Sequence, residues 1–145
     1  MTTAVDTSVV LDVITDDALH ANASVEALRR TRREGRLIVC ESVVAETRPA
    51  LQSDTELTEM LHDLGIEFVP GSEAAAVLAG QHFARYLARG GTAGRVVPDF
   101  LIGAHAQVHA DRLLARDRGY LRDHFDELTV MEPSRGRPPV PDSPE

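Results

Sequence analysis

Lysine is missing from this chain: all 15 basic residues are arginine. That absence excludes a P-loop and leaves phosphoacceptor and phosphatase α/β domains as lesser alternatives. A P-loop needs a lysine after its glycines, so the glycine-rich stretch Gly90-Gly91-Thr92-Ala93-Gly94 is not one. Receiver-like phosphoacceptor domains and aspartate-nucleophile phosphatases keep a lysine beside their acids, and this sequence offers none. The single cysteine, Cys40, rules out an internal disulfide framework and fits a reducing compartment. No stretch approaches the roughly 18 consecutive apolar residues of a membrane span. The opening Met-Thr-Thr-Ala-Val-Asp has no basic segment leading into an apolar run, so a cytoplasmic protein without a membrane partner is expected. No internal repeat is visible.

At 145 residues with 43% hydrophobic content, the chain suits one domain around one core. Residues 1–132 carry the apolar periodicity. Residues 133–145 hold five of the eight prolines and almost no apolar bulk, the composition of a disordered tail. Short apolar runs at Thr3–Val5, Leu37–Cys40, Ile66–Val69, Leu113–Ala115 and Leu128–Met131 read as strands. Between them, three- and four-residue spacings and caps predict helices over Thr7–Val13, Asp17–Arg33, Ser42–Leu51, Asp54–Gly65, Ser72–Arg89, Pro98–Ala110 and Arg118–Phe125. Ser53-Asp54-Thr55-Glu56 has the spacing of a capping box. Such alternation predicts an α/β fold, a mostly parallel sheet between two helical layers, with ligands bound outside the carboxyl ends of the strands.

Four acids stand just after or just inside apolar stretches: Asp6, Glu46, Asp99 and Asp117. Each has an ordinary explanation as a helix cap, a solvated helix residue, a partner of the helix dipole or a turn residue. Taken together, the predicted fold brings Asp6 and Asp117 to one sheet edge, with Glu46 and Asp99 on helices able to flank it. Carboxylates so close repel unless a cation is present, and all-oxygen ligands favour a hard ion, Mg2+ or Mn2+. Such an ion most often serves phosphate chemistry, with a coordinated water as nucleophile.

The net charge of −8 argues against a nucleic-acid partner, yet the arginines are bunched. Arg29, Arg30, Arg32, Arg33 and Arg36 form one run, best read as a solvated helix face. Arg112, Arg116, Arg118 and Arg122 surround Asp117 and are the candidate RNA contacts, because the guanidinium fork suits phosphate. His105 and His109 have the four-residue spacing of a zinc pair. The helical wheel turns both roughly 240° and 280° from Asp99, so a satisfied or solvent-facing pair is expected.

Asp6-Thr7-Ser8, Glu46 in Val43-Val44-Ala45-Glu46, the run Pro98-Asp99-Phe100-Leu101-Ile102-Gly103-Ala104-His105-Ala106, and Leu114-Ala115-Arg116-Asp117-Arg118-Gly119-Tyr120 resemble the PIN-domain nucleases over about residues 3–131. Within that family the chain is most similar to the VapC toxins of bacterial toxin–antitoxin pairs. The resemblance implies a PIN-like three-layer α/β/α sandwich and a metal-dependent endoribonuclease. Asp6, Glu46, Asp99 and Asp117 would be its metal-binding catalytic acids, and Ser8 a supporting hydroxyl. Ala115 departs from the pattern, since family members frequently carry threonine or serine there. The resemblance further implies an RNA substrate, a small antitoxin that covers the site, and a homodimer. The apolar positions on Ser42–Leu51 and Asp54–Leu64 offer an antitoxin groove, although core packing explains most of them equally well. A PIN fold that grips RNA or a partner without cutting is the alternative, and loss of an acid normally marks such proteins.

Overall fold

The computed structural model describes residues 1–92, 94, 97–116 and 123–133. Five short strands, β1 (Thr2–Val5), β2 (Arg36–Val39), β3 (Ile66–Phe68), β4 (Arg112–Leu114) and β5 (Val130–Met131), form one sheet in the order β3-β2-β1-β4-β5. Every neighbouring pair is parallel, with Thr3 opposite both Leu37 and Arg112, Leu37 opposite Ile66, and Leu113 opposite Val130. Parallel strands need crossovers, and the helices supply them: α1 (Thr7–Ile14), α2 (Ala21–Glu34), α3 (Glu41–Thr47), α4 (Asp54–Asp63), α5 (Glu73–Ala88) and α6 (Val97–His109). The α/β fold with a central parallel sheet is as the sequence predicts.

A sheet covered by helices has strands that are apolar without alternation. Ala4, Val5, Leu37, Ile38, Val39, Leu113 and Leu114 are all buried, and Val9, Val43, Phe100, Ile102 and Phe125 complete the same core. Strand order reverses between β1 and β4, since β2 and β3 extend the sheet one way and β5 the other. In open sheets that reversal leaves a crevice at the carboxyl ends of the two central strands. Asp6 follows β1 at this point and Arg116 follows β4.

Several element ends differ from the sequence prediction for identifiable reasons. The helix expected from Asp17 begins at Ala21, because Asp17 Oδ1 accepts the N–H groups of Leu19 and His20 and holds a turn instead. Helix α3 stops at Thr47 and tightens into a 3-10 turn over Arg48–Ala50, where Pro49 lacks the donor an α-helix needs. The capping box forms in part: Ser53 Oγ accepts from Glu56 N–H, while the Glu56 carboxylate accepts from Gln52. The final strand starts at Val130 rather than Leu128, whose N–H turns back to Phe125. Helix α4 ends at Asp63, and Gly65 just past its C-cap has a φ of 70°, the left-handed conformation that closes a helix without a Cβ penalty. Residues 118–122 of the helix expected over Arg118–Phe125, and the tail from 134 to 145, lie outside the described residues. Among the described residues no helix is long and apolar enough to cross a membrane.

Candidate active site

Asp6 is the centre of the site because three local effects converge on it. Its N–H donates to Leu114 O across 2.9 Å, prolonging the β1–β4 pairing by one residue. Its extended backbone makes it the N-cap of α1, with Oδ2 accepting the Ser8 N–H at 3.1 Å. The Ser8 hydroxyl donates to the same oxygen at 2.5 Å, and Asp6 is fully buried at the mouth of the sheet.

From Asp6 two connections run outward. Ser8 Oγ accepts the backbone N–H of Arg116 at 3.1 Å, so the chain entering Asp117 is hydrogen-bonded to the hydroxyl that supports Asp6. The buried Thr7 hydroxyl donates to Glu46 Oε1 at 2.7 Å, which draws the exposed Glu46 of α3 against the first turn of α1. Asp99 is half-buried in the first turn of α6, where the positive end of the helix dipole favours a carboxylate. Helix α6 packs on both β1 and α3, the elements that carry Asp6 and Glu46. The fourth acid, Asp117, lies outside the described residues, as do Arg118 and Arg122.

The two described arginines of the predicted RNA-binding group have other commitments. Arg112 opens β4, so four residues of extended chain, roughly 13 Å at about 3.3 Å per residue, separate it from Arg116. Its guanidinium bonds Thr3 Oγ1 at 2.8 Å and Glu34 Oε1, at the opposite end of the sheet from Asp6. Arg116 is at the right end, but its fork closes on Asp12: Nε to Oδ2 at 2.8 Å and Nη2 to Oδ1 at 3.0 Å. Asp12 is buried and also accepts from Ser24 Oγ at 2.8 Å.

Thr7, expected to cap α1, instead donates to Glu46 while Asp6 caps the helix, and Asp12 gains its role only in the fold. Asp12 was detectable by the same signal that marked Asp6, a lone carboxylate inside the apolar run Val9-Val10-Leu11-Asp12-Val13-Ile14. Asp12, Asp17 and His20 are the group among the described residues whose ligand atoms all fall within 4.8 Å. Asp12 already faces Arg116 and Ser24, and Asp17 Oδ1 accepts from Leu19, His20 and the His20 ring.

The histidine pair is satisfied structurally. His105 Nε2 donates to the Val69 carbonyl at 2.8 Å, and burial lowers the His105 pKa. His109 Nε2 lies 2.9 Å from Ser72 Oγ, the N-cap of α5. Cys40 is buried and its thiol is pushed up by that burial, which keeps it protonated and unreactive.

A buried carboxylate at the carboxyl end of a central parallel strand, supported by the Ser8 hydroxyl and next in sequence to the Thr7 hydroxyl that holds Glu46, places the candidate site at the switch point of an α/β protein. The model of the PIN domain matches residues 3–124, and the chain belongs to the PIN-domain family. Similar solved structures include VapBC2 from Rickettsia felis bound to a promoter DNA fragment, with 16% identity over 91% of this chain and 98% of that one and a TM-score of 0.70. VapBC-1 from nontypeable Haemophilus influenzae is 16% identical over 91% and 98%, with a TM-score of 0.68. FitAcB from Neisseria gonorrhoeae is 22% identical over 90% and 97%, with a TM-score of 0.63. No curated protein matches the sequence.

Proposed function

We propose that this protein is a metal-dependent endoribonuclease acting as the toxin of a toxin–antitoxin pair. The observation that carries this reading is the fully buried Asp6 carboxylate, joined through Ser8 to the backbone preceding Asp117 and through its neighbour Thr7 to Glu46. A buried negative charge is costly unless a cation or a set of donors answers it. The donors gathered here are carboxylates and hydroxyls, the set that Mg2+ and Mn2+ take. Asp6, Glu46, Asp99 and Asp117 would hold the ion, with Ser8 fixing the orientation of Asp6. When bound, such an ion makes a water more acidic and offsets charge on the scissile phosphate.

The chain's own residues set where that chemistry occurs. Asp6 is fully buried after β1, Thr7 holds Glu46 of α3, and α6, packed on β1 and α3, would supply Asp99. Arg118 and Arg122, close after Asp117 in sequence, are the proposed RNA contacts, since Arg112 and Arg116 spend their guanidinium groups on Glu34 and Asp12.

An antitoxin partner is supported by the solved structures, which are toxin–antitoxin complexes. The surface offers a place for one: a cleft of about 340 Å3 lined by Val13, Ile14, Leu51, Met60 and Leu64 and rimmed by Glu56, Glu59 and Asp63. An amphipathic partner segment with basic residues fits that apolar floor and acidic rim. We further propose a homodimer, a cytoplasmic location, and a nuclease domain ending near residue 132.

RNA incubated with purified protein and Mg2+ or Mn2+ should be cleaved, and chelation or Asp6→Asn should abolish cleavage. Tight RNA binding without any metal-dependent cutting would instead identify a non-catalytic binding module.

A further inference from the structure

Helix α1 does more than begin at Asp6. Ser8 and Asp12 are four residues apart and therefore lie on the same face of α1. Both grip Arg116: Ser8 Oγ takes its backbone N–H and Asp12 takes its guanidinium through two parallel bonds. The last sheet bond of this strand is Ala115 N–H to Met131 O, so Arg116 is where the chain leaves the ladder. Asp12 is itself immobilised, with 3% of its side chain exposed and a further bond from the buried Ser24 hydroxyl of α2. A carboxylate with this little freedom, met by a bidentate fork, fixes geometry as well as supplying attraction.

We infer that Asp12 and Arg116 are a positioning pair that fixes the chain leaving β4 against Ser8 and Asp6. One rigid helix presents Asp6 at its cap, a hydroxyl two residues on and a carboxylate six residues on, and the latter two hold the residue immediately before the fourth acid. Arg116 acts through this clamp and not as a phosphate contact. The inference rests on the nuclease reading above, because only a site built on Asp6 makes the hold on the chain leaving β4 functional.

The test uses full-length protein carrying Asp12→Asn, Arg116→Lys and the double substitution, with Asp6→Asn as reference. Asn keeps the shape of Asp12 without its charge, and Lys keeps the charge of Arg116 without its fork. Mn2+ affinity is measured by calorimetry without RNA, exchange of the Arg116 amide by NMR without metal, and kcat and KM on RNA. Each single substitution should weaken Mn2+ binding and lower kcat by about 10- to 100-fold, as loss of an outer-shell partner does, with KM little changed. The Arg116 amide should lose protection, and the double variant should be no worse than the poorer single one, because both remove the same interaction. Folded Asp12→Asn protein with wild-type Mn2+ affinity and kcat would overturn the inference. So would Arg116→Lys raising KM alone while Asp12→Asn is silent, which would make Arg116 an RNA contact. If Asp12→Asn does not fold, Arg116→Lys and Ser24→Ala decide the matter by the same readouts. Failure of the nuclease reading has a different signature: wild type and Asp6→Asn would be alike in neither binding Mn2+ nor cutting RNA.

Discussion

Thr7 Oγ1 donates to Glu46 Oε1 across 2.7 Å, linking the first turn of α1 to α3. Thr7 is buried while Glu46 is exposed, so the hydroxyl fixes a carboxylate that would otherwise sample solvent.

Thr7→Val keeps the shape of the side chain and removes the donor. The stability cost should be about 1 kcal/mol, the net value of a hydrogen bond of this type. Cleavage should fall about tenfold, as expected when a ligand loses its orienting partner. Thermal unfolding and cleavage rates on the same preparation separate the two; an unchanged rate would mean that Glu46 needs no such support.

Metal removal should register as a loss of stability that depends on Asp6. A ligand binding only the native state raises stability by RT ln(1 + [L]/Kd), about 2.7 kcal/mol at a hundredfold excess over Kd. Wild-type protein should therefore melt at a higher temperature in Mn2+ than in chelator. Asp6→Asn retains a good N-cap residue for α1 and should show no such gain. Equal Mn2+ stabilisation of both proteins would place the ion elsewhere, with Asp12, Asp17 and His20 the first residues to examine.

Gly103 in α6 faces the ring of Phe125, and a Cβ at that position would come within 2.8 Å of Cε2. Phe125 is buried in the core and has little room to retreat. Gly103→Ala should thus destabilise the fold by about 1–3 kcal/mol through overpacking, despite the better helix propensity of alanine. Denaturant unfolding measures this, and a more stable variant would show that propensity wins.

Acid should destabilise the protein through His105 and His82. Burial is the leading cause that lowers both pKa values from the ordinary 6.5, and it outweighs the bond to Val69 for His105. Below about 6.5 the unfolded chain therefore takes up protons that the folded chain refuses, and stability falls as pH drops through that range. Above it, neither state is charged at these rings and their contribution is constant. His105→Gln should flatten the slope of unfolding free energy between pH 7 and the folded-state pKa; a slope equal to wild type would assign the acid sensitivity to other groups.

Local physics made much of this protein legible in its sequence. The apolar triplets of β1, β2 and β4 are unbroken because both sheet faces are covered, and Ser53 and Ser72 mark helix starts through bonds reaching only three residues. Asp6 is legible because a carboxylate directly after a buried strand stands out, although capping α1 accounts for it as well. What required the folded chain were relationships between residues distant in sequence. Arg112 and Arg116 look alike in one dimension, yet the β1–β4 register sends one to Glu34 at the amino end of the sheet and the other to Asp12 at the site. Asp17 reads as the first residue of a helix until its carboxylate is seen capping a turn. Sequence thus determined the strands, the helices and the acids, since periodicity and caps act within one turn or one pleat. Which acid meets which cation was left to strand order, because contacts 78 and 104 residues apart exist only once β4 has paired beside β1.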